Sequence, residues 1–163
     1  MTNTVRKRLE TLEADSGIGP TNRNVAAGGT LSATVALHDD KTILLDTAAG
    51  SVVTLPAATG SGAIFRFLVS VTATSNSHIV KVANASDFMS GFADVLDQDG
   101  TTVATYKADG SADDTITMNR TTTGGVIGDW FEAIDMKANL WHVRGQVTCI
   151  VGQNVADPFS AGV

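Results

Sequence analysis

The chain has 163 residues, of which 43% are hydrophobic, 17% charged and 6% aromatic, and its formal net charge is −6. The charged fraction lies below the roughly 25% of an average globular protein, which favours a protein that hides part of its surface in an assembly. The negative charge argues against nucleic-acid binding by the body. No apolar run approaches the ~20 residues that span a bilayer, so we expect no membrane partner.

Residues 1–29 form the predicted N-terminal arm. Val5, Leu9 and Leu12 are spaced as one face of a helix, but three apolar side chains cannot hold so short a helix alone in water. We therefore expect the arm to contact a partner, with Leu9 and Leu12 in a groove. The basic residues that would meet acidic groups on that partner are Arg6, Lys7 and Arg8. The first residues contain no apolar core of a secretory signal, so we expect synthesis in a cytoplasm.

From residue 30 the pattern is typical of short strands separated by Gly and Pro turns. The predicted strands are Leu31–Leu37, Thr42–Asp46, Ser51–Leu55, Ile64–Val71, His78–Ala83, Thr115–Met118, Trp130–Met136 and Leu140–Val151, the last with a break at Gly145. Residues 30–163 are thus predicted to be mainly β, an antiparallel sandwich or barrel-like domain that also carries oligomerisation. We expect residues 94–111 to form an exposed hairpin or loop insertion, and no internal repeat is evident.

Three aromatic residues are candidates for an oligomer interface. Trp130 and Phe131 are adjacent in a predicted strand, so their side chains point to opposite faces. At least one of them must then leave the monomer core. Trp141 lies on the other strand of the same predicted hairpin, which residues 135–139 would close. Because aromatic residues are enriched at interface centres, we predict that Trp130, Phe131 and Trp141 contact a neighbouring subunit.

The sequence predicts no catalytic, cofactor or metal site. His38, His78 and His142 have no metal-ligand neighbour at i+2 or i+4, although His38 with the two following aspartates is a weak candidate. The acidic residues at 94, 97 and 99 lack the later bidentate Glu of a calcium loop. Cys149 lies in an apolar run and is predicted to be a buried, inert thiol.

The block from Asp46 to Gly62 resembles small virion proteins of tailed bacteriophages. Those proteins are most often described as capsid decoration (cement) proteins and sometimes as tail or head fibre proteins. Later pieces agree in order: residues 76–84, 113–118, 122–125, 141–145 and 157–160.

The resemblance implies a homotrimer that is synthesised in the cytoplasm of a bacterial host and lies on the outer capsid surface of the virion. It would bind the major capsid protein of a tailed phage and bridge neighbouring shell subunits without catalysis. The alternative is a tail or head fibre module that recognises the host surface or its glycans, with residues 94–111 and Tyr106 as the candidate site. A glycan hydrolase would need paired carboxylates, and the adjacent Asp113 and Asp114 should diverge in a strand.

Overall fold

The computed structural model describes residues 23–150 and 154–163. Within those ranges the chain forms twelve strands and one short helix, arranged as two stacked sheets. The elements are β1 Asn24–Ala26, β2 Thr30–Ser32, α1 Val35–His38, β3 Lys41–Leu45, β4 Val52–Thr54, β5 Ile64–Val69, β6 His78–Lys81, β7 Phe88–Asp97, β8 Val103–Asp109, β9 Thr115–Met118, β10 Trp130–Lys137, β11 Leu140–Cys149 and β12 Phe159–Ser160.

The first six strands wind between the two sheets in three coils. Strands β1, β3 and β5 lie side by side in the larger sheet, and β2, β4 and β6 lie side by side in the smaller one, all in parallel register. Each coil therefore places one strand in each sheet before the chain moves up by one strand position. Parallel neighbours need a long crossover connection, and the opposite sheet supplies it here.

The remaining strands complete the sheets mostly as antiparallel neighbours. The seven-stranded sheet has the order β1-β3-β5-β10-β11-β7-β8, and the five-stranded sheet has the order β12-β9-β6-β4-β2. Strands β10 and β11 form the predicted hairpin, whose turn contains Asn139 at a φ of 64°. Strand β11 then runs parallel to β7 over ten residue pairs, from Leu140 with Phe88 to Cys149 with Asp97.

The mainly β sandwich predicted from the sequence is confirmed, and its pairing is mixed. Five of the ten ladders between described strands are parallel, where antiparallel pairing was expected. The body also begins before residue 30, because β1 pairs with β3 and Ala27 is buried. The predicted arm of residues 1–29 thus gives its last part to the sheet, and its first 22 residues lie outside the described ranges.

Alternation along the strands fills the space between the sheets. The largest fully buried side chains include Trp141, Phe65, Phe67 and Phe131, and Trp141 packs edge-on against Phe65 at 5.6 Å. Strand β11 is not broken at Gly145, which instead makes room for an aromatic ring. A Cβ atom at Gly145 would lie 2.4 Å from the ring of Phe131.

Candidate interaction surface

The outward side of the seven-stranded sheet carries large apolar side chains. We call this side the outer face. Leu44, Leu68 and Trp130 are direct neighbours across β3, β5 and β10, and we call them the apolar row. Trp130 is 40% exposed, and Phe92 on β7 is 50% exposed. The outer face therefore leaves apolar surface in contact with water, as interaction sites commonly do.

A row of charges runs beside the apolar row. Arg66, Glu132 and Arg144 are register neighbours on β5, β10 and β11, and we call them the charged row. Glu132 accepts hydrogen bonds from Nε of Arg66 at 3.1 Å and from Nε of Arg144 at 2.9 Å, and Nη2 of Arg144 forms a salt bridge with it at 2.8 Å. Glu132 is only 7% exposed although its side chain points outward. The two arginines thus cover the carboxylate, and the three formal charges of the row sum to +1.

The charged row continues to the edge of the sheet. Nη1 of Arg66 also binds Asp40 at 2.7 Å, and Arg23 lies 3.6 Å from the same carboxylate. The hydrogen bond from Arg66 lowers the pKa of Asp40. Asp40 occupies a left-handed backbone position, with a φ of 56°. The network therefore links the first described residue to the centre of the outer face.

A shallow cavity of about 350 Å³ lies between the two rows. Thr42, Arg66, Leu68, Trp130 and Glu132 line it. It is deep enough to receive an apolar side chain, and the charges beside it would orient the partner. From strand spacing and length, the whole outer face projects over roughly 600–700 Å². That approaches the ~800 Å² that each partner buries in a standard interface.

Of the three aromatic residues predicted at the interface, only Trp130 lies at the surface. Phe131 and Trp141 are 1% and 0% exposed and belong to the core of the single chain, so their assignment to an interface is corrected. Strand alternation turns both inward, where Phe131 meets Phe159 edge-on at 6.2 Å. The arm residues predicted to bind a partner, Arg6, Lys7, Arg8, Leu9 and Leu12, lie outside the described ranges.

The predicted chemistry-bearing residues are not gathered in one place. His78 is buried between the sheets, where its Nδ1 accepts the N–H of Ser51 at 3.0 Å and its Nε2 donates to the carbonyl of Val71 at 2.8 Å. Burial lowers the pKa of His78, so it is a neutral structural residue. His142 lies on the outer face, opposite in direction to Trp141.

Cys149 is fully buried, as predicted. Its Sγ donates a hydrogen bond to the carbonyl of Leu96 at 3.1 Å. Burial, assisted by the nearby charge of Asp97, raises the pKa of the thiol. A protonated, enclosed thiol is unreactive.

The acidic residues considered for calcium are separated by the strand alternation. Asp94 binds Thr105 on the outer face, Asp97 points inward, and Asp99 binds Thr101 in the hairpin turn. Within the described ranges, no three His, Cys, Asp or Glu side chains are placed to hold a metal ion.

Several buried carboxylates, which the sequence analysis did not identify, hold the loops at the ends of the sandwich. Asp135 is the most heavily bonded. It accepts the backbone N–H groups of Thr59, Gly60 and Ser61 at 2.7–3.2 Å and both hydroxyls of Thr59 and Ser61. Burial alone would raise the pKa of Asp135, but the hydrogen bonds outweigh it and lower the pKa.

The pKa of Asp129 is shifted in the opposite direction. It accepts backbone N–H groups of Gly125, Val126 and Thr148, yet burial dominates and raises its pKa. The pair considered for a hydrolase is also structural, since Asp114 accepts the N–H of Gly162 at 2.7 Å and Asp113 accepts the N–H of Asp109. These carboxylates are bound to their own loops.

No family model, no curated protein and no solved structure matches this chain. Among the described residues, no helix combines the length and the apolar character needed to cross a bilayer.

Proposed function

We propose that this chain is a structural protein of a tailed-phage virion, which decorates the outer capsid surface and bridges neighbouring shell subunits by binding alone. The observation that carries the proposal is the outer face, a broad sheet surface with an apolar row and a charged row on an otherwise weakly charged protein. The resemblance at residues 46–62 supports the virion assignment. That segment connects β3, β4 and β5 in the coils.

The working unit in this proposal is a homotrimer. Each copy presents its outer face to a neighbouring copy, with Trp130 at the contact. The predicted arms then engage the major capsid protein at three points. Three linked arms raise one another's effective concentration, so weak single contacts add to a firm attachment. Body loops held by buried carboxylates make a stiff platform for such attachment.

Mass measurement and capsid binding test the two halves of the proposal separately. Light scattering of the purified chain should give about three times its 16.8 kDa mass. A clean monomer at micromolar concentration would remove the trimer. The full chain should decorate undecorated capsids, seen by cryo-electron microscopy as density on the shell. Density on the tail would favour the fibre alternative.

The arm is tested by a chain that starts at Arg23, the first described residue, so that β1 stays intact. It should remain a soluble oligomer and lose capsid binding. The double variant Leu9→Asp with Leu12→Asp should behave likewise. Thr2→Asp with Thr11→Asp adds the same charge away from the predicted apolar face and serves as the control. Undiminished decoration by the shortened chain would assign the shell contact to the β body.

A further inference from the structure

A second concave site lies at one end of the sandwich, away from the outer face. It is a cavity of about 420 Å³ between the 73–77 segment and the 119–121 turn, with Ile150 at its side. Its volume lies within the range of small-ligand sites, roughly 300–1,000 Å³. Hydroxyl and amide side chains dominate the lining, and Ala73 and Ile150 are its apolar members.

The walls of this end cavity are fixed by the protein itself. Oδ1 of Asn119 accepts the backbone N–H groups of Thr121, Thr122 and Thr123 at 2.8–3.1 Å, which shapes the turn. On the other wall, the N–H and the hydroxyl of Thr74 both donate to the carbonyl of Ala48. The site is therefore preformed, and a ligand would not have to order its loops.

Other lining groups are left without partners. The side chains of Ser75, Asn76 and Ser77 make no hydrogen bond with another described residue. They provide two hydroxyls and one amide in consecutive positions. Groups of this kind both donate and accept hydrogen bonds, which suits a ligand with several hydroxyls.

Among the described residues that line the cavity, Arg120 is the one with a formal charge. No carboxylate of the described residues forms a salt bridge with it. Its backbone has a φ of 69°, a conformation that is uncommon for a residue with a long side chain. The strand ends hold it there, because its N–H donates to Gly124 and its carbonyl accepts the N–H of Ile150. Strain retained at a cavity wall is typical of functional positions.

We infer that this end cavity binds an acidic saccharide, with the carboxylate of one sugar on Arg120 and its hydroxyls on Ser75, Asn76 and Ser77. Arginine and a carboxylate form a charge-assisted, often bidentate pair. A single arginine on a chain of net charge −6 balances one negative charge, which favours a sugar carboxylate over a doubly charged phosphate ester. The inference is independent of the capsid proposal.

The test titrates glucuronate, glucose and inorganic phosphate into the full chain and follows backbone amide shifts by NMR. Glucuronate should shift residues 73–77 and 119–121 with a Kd at least ten times lower than that of glucose. Added salt should weaken the binding of glucuronate. Equal affinity for glucuronate and glucose would overturn the role of the charge. Equal affinity for phosphate would reduce the site to a simple anion site, and no shift by any probe would end the proposal.

Arg120→Gly separates binding from folding. Glycine accepts a φ of 69° without strain, so the variant should unfold at an equal or higher temperature and still lose the preference for glucuronate. Asn76→Asp should weaken glucuronate binding at least tenfold by repulsion. Arg23→Gln, at an exposed arginine far from the cavity, is the matched control and should bind like the wild type. Glucuronate preference that survives Arg120→Gly would overturn the assignment.

The same variant keeps this inference distinct from the capsid proposal. Arg120→Gly should decorate capsids like the wild type. Loss of sugar binding with intact decoration is the expected result, and loss of decoration would mean that the end cavity contacts the shell and not a sugar.

Discussion

The two outward sides of the sandwich are built from different kinds of side chain. The outer face of the seven-stranded sheet carries Trp130, Leu68 and Phe92 beside a buried glutamate clasped by two arginines. The outward side of the five-stranded sheet carries mostly small hydroxyl residues. Its outward positions are Thr30, Ser32, Val52, Thr54, Ile79, Lys81, Thr117 and Ser160.

Both sheets share one core, so core packing cannot explain this difference. Threonine and serine on a strand satisfy β propensity and tolerate water, which is sufficient for a free surface. Large apolar residues and a nearly dehydrated carboxylate are costly on a free surface and useful in a contact. The difference therefore favours the larger sheet as the contact surface of the proposed assembly and the smaller sheet as a free surface.

Breaking the outer face should have the largest effect. Trp130→Glu removes an exposed aromatic without touching the core, so the chain should fold and self-association should weaken about 30-fold or more, as expected for a central interface residue worth about 2 kcal/mol. Analytical ultracentrifugation over a series of protein concentrations measures the affinity of self-association. Thr117→Glu places the same charge on the opposite sheet and should leave the assembly unchanged. Equal weakening by both variants would abolish the distinction between the faces.

The outer face also depends on what supports it from inside. Gly145→Ala should push the Phe131 ring away from β11 and shift β10, at a cost of about 1–3 kcal/mol in the free energy of unfolding. Urea denaturation measures this cost. Gly29→Ala has open space around the new Cβ and should change stability by less than about 0.5 kcal/mol. If Gly145→Ala is as harmless as Gly29→Ala, then Phe131 repacks freely.

Removing the central charge should have a smaller effect. Glu132→Gln leaves Arg66 and Arg144 facing each other without their carboxylate, and because both guanidinium groups are substantially exposed we expect a loss of only about 1 kcal/mol. The loss should be visible in urea at low salt and should shrink as salt is added. Asp40→Asn, at an exposed member of the same network, should have no measurable effect. If the loss in the free energy of unfolding did not depend on salt, Glu132 would stabilise the fold through its packing and not through its charge.

The smallest expected effect is a pH dependence from the five-stranded sheet. The pKa of His78 is lowered in the folded chain, so above the unfolded value of about 6.5 both states are neutral. As the pH falls below that value the unfolded chain binds the proton first, and the free energy of unfolding decreases until the folded pKa is passed. His78→Gln should remove this slope between pH 6.5 and 5, and His142→Gln should keep it. Thermal unfolding of both variants and the wild type between pH 6.5 and 5 measures this slope.

Much of the strand content was predictable because local alternation sets it. Thr115–Met118 matches the prediction, and the boundaries of β3, β4 and β5 differ from it by one or two residues. Period-two geometry predicted that Trp130 and Phe131 point to opposite faces, but not which of the two points outward. The hairpin predicted within residues 94–111 is present as the end of β7 with β8, but the first part of β7, residues 88–93, was not predicted, because Gly91 lowers its apparent β propensity. Gly91 is required there, since its Cβ would collide with the carbonyl of Val143 on β11.

The coils were not visible in the sequence because their spacing is irregular. Asn24 pairs with Thr42 and Thr42 with Arg66, spacings of 18 and 24 residues, so no period repeats. The candidate surfaces were even harder to predict from the sequence, because their residues lie far apart along the chain. Arg66 and Glu132 lie 66 positions apart and become neighbours only through the sheet order. Likewise, nothing local to Arg120 indicates that residues 73–77 form the facing wall of its cavity.

The position of β11 affects how the chain folds during translation. It is the last long strand in the described part of the chain, yet it lies in the middle of the larger sheet, between β10 and β7. Until residue 149 has left the ribosome, one side of β7 has unpaired backbone groups, and an open strand edge accepts any chain that fits. A copy translated nearby can supply that strand. Slow synthesis lengthens this interval and therefore favours exchange of β11 between nascent copies, whereas rapid synthesis favours closure within one chain.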